Sequence, residues 1–198
     1  MTTATRQRLH FEEDPLTPGV LLTGLSSEKA RLKLASSKAL RNLSEHAPER
    51  VYPFFDIFAG LLGHENNIIK WNAILTLAHL ARADGDGKID ILLDRYLEPI
   101  TGPVMITAAN TIKGAALIAR QKPHLAERIA KCILRVEKAT YATPECRNVA
   151  IGHALTALGS FLFLLEDVRP AIRFAVRQTH NPRPATAAKA RRLASNYS

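Results

Sequence analysis

Two cysteines in 198 residues are too few for a disulfide framework. Cys132 and Cys146 sit in no CxxC pair and no Cys/His ligand spacing, so they read as reduced thiols. No run approaches the roughly 18 consecutive apolar residues of a membrane span. The N-terminal stretch MTTATRQRLHFEEDP has no apolar h-region, and its acidic triplet is unlike a transit peptide; the expected compartment is the cytoplasm. Seven histidines (10, 46, 64, 79, 124, 153, 180) are scattered singly, without HxxxH or HExxH spacing. There is no glycine-rich phosphate loop, no GxSxG and no purposeful pair of carboxylates. On these grounds no catalytic residue, metal or cofactor is assigned, and the chain is not expected to be an enzyme.

The chain does have enough apolar residues, 46%, for a packed core. Its length fits one domain: residues 1–15 read as a flexible polar tail and 16–198 as a single domain. The net charge of +9 is uneven. Residues 1–100 hold 12 Lys and Arg against 13 Asp and Glu, and residues 101–198 hold 15 against 5. Arg169, Arg173, Arg177, Arg183, Lys189, Arg191 and Arg192 contribute much of that excess. Such a distribution either faces an acidic partner, for instance nucleic acid, or is a solvated basic surface.

Four segments of helical period look like versions of one unit: 28–46, 65–82, 103–121 and 144–162. Helical segments 48–63, 87–100 and 123–139 lie between them, and a final pair closes the chain. Pro48, Pro103, Pro123 and Pro144 fall where a first helical turn tolerates proline. Thr143-Pro144 and Thr101-Gly102-Pro103 read as helix entrances with a hydroxyl near the cap. The last three units align without gaps at a spacing of 38, with Asn72, Asn110 and Asn148 in register. This is the pattern of an all-α chain, an α-solenoid of about four to five helix pairs. Over most of residues 16–195 it resembles HEAT and armadillo repeat proteins in its paired helices, Ala/Leu-rich second helix and proline turn. The resemblance implies architecture and leaves function open.

On a helical wheel of 65–82 a broad apolar arc, which includes Trp71, leaves a narrow arc with Asn72, Thr76 and His79. The corresponding arcs hold Asn110 with Gly114, and Asn148 with Gly152. One reading makes Asn72, Thr76, Asn110, Gly114, Asn148 and Gly152 a groove for a protein or peptide, since a carboxamide both donates to and accepts from a backbone amide. Armadillo proteins that hold extended peptides use a similar asparagine ladder, although theirs is accompanied by recurring tryptophans. The other reading makes the amides ties between neighbouring repeats, with the glycines allowing close helix approach.

Three further features compete for attention. In DGDGKID (84–90), placing Gly87 at the sixth position of a calcium loop puts Asp84, Asp86 and Asp90 at ligand positions. The first and last ligands are then Arg82 and Leu93, so the stretch reads as a turn with Asp84 or Asp86 near the next helix N-terminus. Cys146 is beside Arg147 near a helix start, where a thiolate is favoured, or else is a small core residue. His79 is expected at the surface and His153 in the interior.

Two functions follow. The leading one is a scaffold that binds a protein or peptide through the concave face, as a monomer or weak oligomer. The alternative is nucleic-acid binding through the basic second half, as implied by a likeness to HEAT-like alkylpurine DNA glycosylases, small basic solenoids that cup a duplex. Those rely on aromatics around the lesion and a catalytic Asp; here aromatics are 6% and Asp167 is the only Asp after residue 94, so no glycosylase residue carries over.

Overall fold

A computed structural model describes residues 17–195; the polar stretch 1–15 lies outside the described residues. Every regular element among them is helical. The helices are α1 (Pro18–Leu25), α2 (Ala30–His46), α3 (Pro48–Val51), α4 (Phe55–Leu61), α5 (Asn67–Leu80), α6 (Lys88–Leu97), α7 (Met105–Gln121), α8 (Ala126–Leu134), α9 (Pro144–Phe161), α10 (Arg169–Gln178) and α11 (Pro184–Ser195).

Local chemistry explains most of the boundaries. The Asn66 side chain accepts from the backbone N–H groups of Ile68 and Ile69 and so caps α5. Thr143 accepts from the N–H of Cys146 and caps α9, with Pro144 at the first helical position. Gly87 enters α6 with φ 73°, the left-handed region that favours glycine. Thr101 is not a cap, contrary to expectation. It ends a short 3-10 turn, and α7 starts behind the extended Val104 with no side-chain cap.

Helices α2, α5, α7, α9 and α11 form a row in which each packs along the next. A second set covers one side of that row: α4 lies on α5, α6 on α7, α8 between α7 and α9, and α10 on α11. The core between the two sets is built on Tyr96, Phe161, Phe174, Ile69, Ile74 and Leu77, all fully buried. At about 1.5–3 kcal/mol per buried large aliphatic or aromatic side chain, this burial dominates the stabilisation.

Side chains tie each stretch to the one some 35 to 40 residues on. Lys122 Nζ donates to the Asp84 carbonyl at 3.1 Å and pairs with the Asp84 carboxylate at 2.8 Å. Trp71 Nε1 donates to Thr107 Oγ1 at 2.9 Å; the ring is half-buried against the core, with its polar edge satisfied. The buried Tyr96 hydroxyl donates to the Ile74 carbonyl at 3.0 Å.

Candidate functional site

The DGDGKID stretch resolves into a helix entrance. Asp84 accepts from the backbone N–H of Lys88 at 2.9 Å and of Ile89 at 3.0 Å, and from the Tyr52 hydroxyl at 2.6 Å. Its carboxylate is wholly covered, with the Lys122 ammonium against it. Burial raises the Asp84 pKa, but Lys122, Tyr52 and the two amides outweigh it and hold the carboxyl below its usual range. Asp90 pairs instead with His124 and Lys122, and Asp86 accepts from Tyr52. These oxygens point at donors of their own fold rather than at a common centre.

The asparagines with a period of 38 take three different environments. Asn72 is buried; its amide donates to Ser37 Oγ at 2.8 Å and its carbonyl oxygen accepts from Arg41 at 3.2 Å, both on α2. Asn148 is half-buried and accepts from the Asn181 amide at 3.2 Å, while its backbone carbonyl accepts from Thr186. Both of these bridge to neighbouring stretches. Asn110 lines the groove between α7 and α9, its amide folded back onto the Ile106 carbonyl at 2.9 Å, whereas Asn148 edges a separate cavity with Gln178 and Asn181.

The partners on the wheel are not on that groove. Thr76 is fully buried, and its hydroxyl has no hydrogen-bond partner. A Cβ on Gly114 would lie 1.9 Å from the Tyr96 hydroxyl oxygen, and one on Gly152 would lie 2.7 Å from Thr186 Oγ1. The glycines admit side chains of neighbouring elements. The open face of α7 therefore runs on the other side of Asn110, through Ile106, Lys113, Leu117 and Arg120. Spacings of three and four from Asn110 would have revealed this row, because it carries the helix's only two cations.

Three cavities follow one another along the face of the helix row left uncovered. The first, about 380 Å³, lies among α2, α5 and α7 and is edged by Arg41, Glu45, His79, Arg82 and Lys113. The second, about 510 Å³, runs between α7 and α9 over Met105, Ala109, Ala116, Leu117, Val149 and Ala157. Its edges carry Lys113, Arg120 and His153. The third, also about 510 Å³, separates α9 from α11, with Lys189 and Arg192 on its wall. Lys113 and Leu117 line both the first and the second, and Thr156 and Ser160 both the second and the third. They form one groove.

Its electrostatics are one-sided. The five row helices carry eleven Lys and Arg but only two acids, Glu45 and Glu145, an excess equal to the net charge of the whole chain. Glu145 pairs with Arg183, which leaves Glu45 as the sole acid on the groove walls. Among the described residues none of Arg41, Arg82, Lys113, Arg120, Lys189 and Arg192 is in a salt bridge. Partial withdrawal from water beside the neighbouring helices lowers the pKa of both His79 and His153, and the Lys113 charge lowers it further in each case. Their positions reverse the sequence expectation: His79 is half-buried and bonded to Ser44 Oγ at 3.0 Å, whereas His153 is exposed.

The basic residues of the second half are less available than their number implies. Arg169 pairs with Asp167, Arg177 with Glu137 and Arg183 with Glu145. Arg191 donates to the Thr179 carbonyl and Lys189 to that of Gly152. Arg173 is exposed on α10, in the other helix set. Positive charge is thus concentrated on the row, at a net +9 against +3 for α4, α6, α8 and α10 together, as well as in the second half of the sequence. Cys146 is half-buried against the core at the start of α9.

No protein-family model matches the chain, and no curated protein matches it. Solved structures do. One is an engineered protein whose crystal structure came from the Northeast Structural Genomics Consortium, 13% identical, with a TM-score of 0.53 over 90% of this chain and 78% of that one. At that identity the likeness concerns the fold alone.

Proposed function

We propose that the chain is a non-enzymatic HEAT- or armadillo-like module, an α-solenoid of four to five helix pairs. It holds a protein or peptide on its concave face and works in the cytoplasm. The row of helices α2, α5, α7, α9 and α11 supplies that face, and the second set supplies the back. The observation that carries the reading is the groove itself: continuous, open, floored by aliphatic side chains and edged by cations without salt-bridge partners. Within the asparagine set, Asn110 contacts the partner, while Asn72 and Asn148 hold neighbouring helices together. The module works as a monomer or weak oligomer.

A photo-crosslinking amino acid placed at Ile106 in the groove, or at Ile91 on α6, tests this in cells. The Ile106 position should yield adducts that protease removes and nuclease leaves intact. Ile91 is 87% exposed and lies on the second helix set, and it should yield none. Equal adducts from both positions would remove the groove from consideration.

A second reading, nucleic-acid binding along the same face, is favoured by the unpaired cations. The lack of any Phe, Tyr or Trp on the walls of the three cavities counts against single-strand stacking there. Nuclease-sensitive adducts at Ile106 would establish it over the first.

A further inference from the structure

The trough between α7 and α9 combines two properties that together specify a ligand. Its floor is aliphatic, and three of its floor residues, Ala109, Ala116 and Ala157, are too small to fill it. Its rim is cationic, with Lys113 and Arg120 in no salt bridge and no acid on its walls. A nucleic-acid duplex satisfies the rim but has no aliphatic group that reaches such a floor. A neutral apolar helix fills the floor and leaves the cations without counter-charges. We infer that the trough takes an acidic amphipathic helix from a partner protein, with aliphatic side chains on the floor and carboxylates against Lys113 and Arg120. This rests on the protein-binding reading above and adds the chemistry of the partner.

The geometry fits a helix of moderate length. From Ile106 to Arg120 α7 runs about 21 Å at about 1.5 Å per residue. A ligand helix of about four turns covers that length and presents anchors at the i, i+3, i+4, i+7 spacing. The exposed Ile106, 47% accessible, extends the apolar surface at the N-terminal end of α7. Lys113 also edges the neighbouring cavity with Arg41 and Arg82, so additional carboxylates beyond the trough find cations as well.

Fluorescence anisotropy with labelled synthetic peptides of about 16 residues is the test. The probe carries Leu at the anchor positions and Glu elsewhere. Comparison peptides replace every Leu with Ser, or every Glu with Gln, and a DNA duplex of about 20 base pairs serves as polyanion. The Leu/Glu peptide should bind, with the Ser and Gln peptides each weaker by about tenfold or more. Lys113→Glu with Arg120→Glu should cost the Leu/Glu peptide at least about tenfold. Ala109→Phe, which fills the half-exposed floor and leaves the cations in place, should weaken the same peptide while the circular dichroism stays unchanged.

Equal binding of the Ser peptide would overturn the inference by reducing the groove to a polyanion sink. Equal binding of the Gln peptide would overturn the acidic requirement and leave the protein-binding reading standing. A duplex that binds more tightly than the Leu/Glu peptide and ignores Ala109→Phe would sink both. Absence of binding by any probe to the well-folded wild type would also end the inference, with the crosslinking result deciding the broader reading separately.

Discussion

Replacing Asp84 with Asn keeps the side chain's shape and removes its charge, leaving Lys122 beside a neutral amide in a nearly closed site. Breaking a buried pair from one side costs about 3–5 kcal/mol; Lys122 retains the Asp84 carbonyl and Asp90, so a loss of about 3 kcal/mol in urea unfolding is expected. The pH dependence has a definite sign. The folded pKa of Asp84 is lowered, so its contribution is complete above the unfolded carboxylate value of about 3.9. It is lost as pH falls through the lower folded value, and Asp84→Asn should flatten the acid limb of the stability profile. His79 follows the same logic nearer neutrality. Its folded pKa is lowered from 6.5, so the unfolded chain takes up the proton first and stability declines as pH drops below about 6.5. An NMR titration of the His79 ring should give a midpoint under 6.5, and His79→Gln should reduce the slope of thermal stability over that range. The role of Asp84 was half legible in the sequence. The missing calcium ligands and the nearby helix start were visible, but Lys122, 38 residues away, was not.

At the scale of helices, the two glycines of the period separate by what stands opposite them. A methyl at position 114 meets the hydroxyl of Tyr96, a ring fixed in the core, and the Cβ of Ala78 at 3.2 Å. Gly114→Ala should therefore destabilise by about 1–3 kcal/mol as an overpacked contact. Gly152→Ala meets a small side chain, Thr186, near the end of the stack and should cost less; thermal melts of the two proteins give the order. The asparagines divide similarly. Asn72→Ala removes a buried donor to Ser37 Oγ and one acceptor of Arg41 and should lower stability by about 1–3 kcal/mol. Asn110→Ala removes only a second bond to the Ile106 carbonyl, which keeps its helical partner, and should change the melt little. The helices themselves were legible, since segments 28–46, 65–82, 103–121 and 144–162 contain α2, α5, α7 and α9. Their rotation was not. The trough is lined by Ile106, Asn110, Lys113 and Leu117 of α7 and by Val149, His153, Thr156 and Ser160 of α9, a step of 43 rather than 38. Five residues at about 100° each set the flank that α9 turns to the trough about 140° from the flank that α7 turns to it, as two helices facing one groove require. At the spacing of 38, Lys113, Leu117 and Arg120 correspond to Ile151, Leu155 and Leu158, three aliphatics that α9 buries; Leu155 and Asn148 face α11 and the segment before it, so the asparagines in register do not share one groove.

Across the whole molecule, the row helices carry a net +9 and α4, α6, α8 and α10 a net +3. Dividing the sequence at residue 100 puts the positive excess in the second half and so hides α2, whose four cations and one acid lie in the first. Only the packing order gathers Arg41 and Arg82 with Lys113, Arg120, Lys189 and Arg192. A surface of like charges with a single acid, Glu45, among them repels itself, and screening reduces that repulsion as salt rises. Lys113 is the residue to probe, since it edges two of the three cavities and acts on both His79 and His153. Lys113→Glu should raise the Tm relative to wild type at about 0.01 M salt, where the Debye length is about 30 Å. The difference should fade at about 1 M, where it is about 3 Å. Because Lys113 is exposed and joins no salt bridge, no lost contact offsets the gain. Reversal of Lys131, an exposed cation of α8 in the second helix set, is the control and should show no such gain. A protein stabilised by losing a charge that its fold does not use keeps that charge for something it binds. If Lys113→Glu proved neutral at low salt, the cations of the groove would be too well solvated to act together, and the argument for an anionic partner would lose its electrostatic basis.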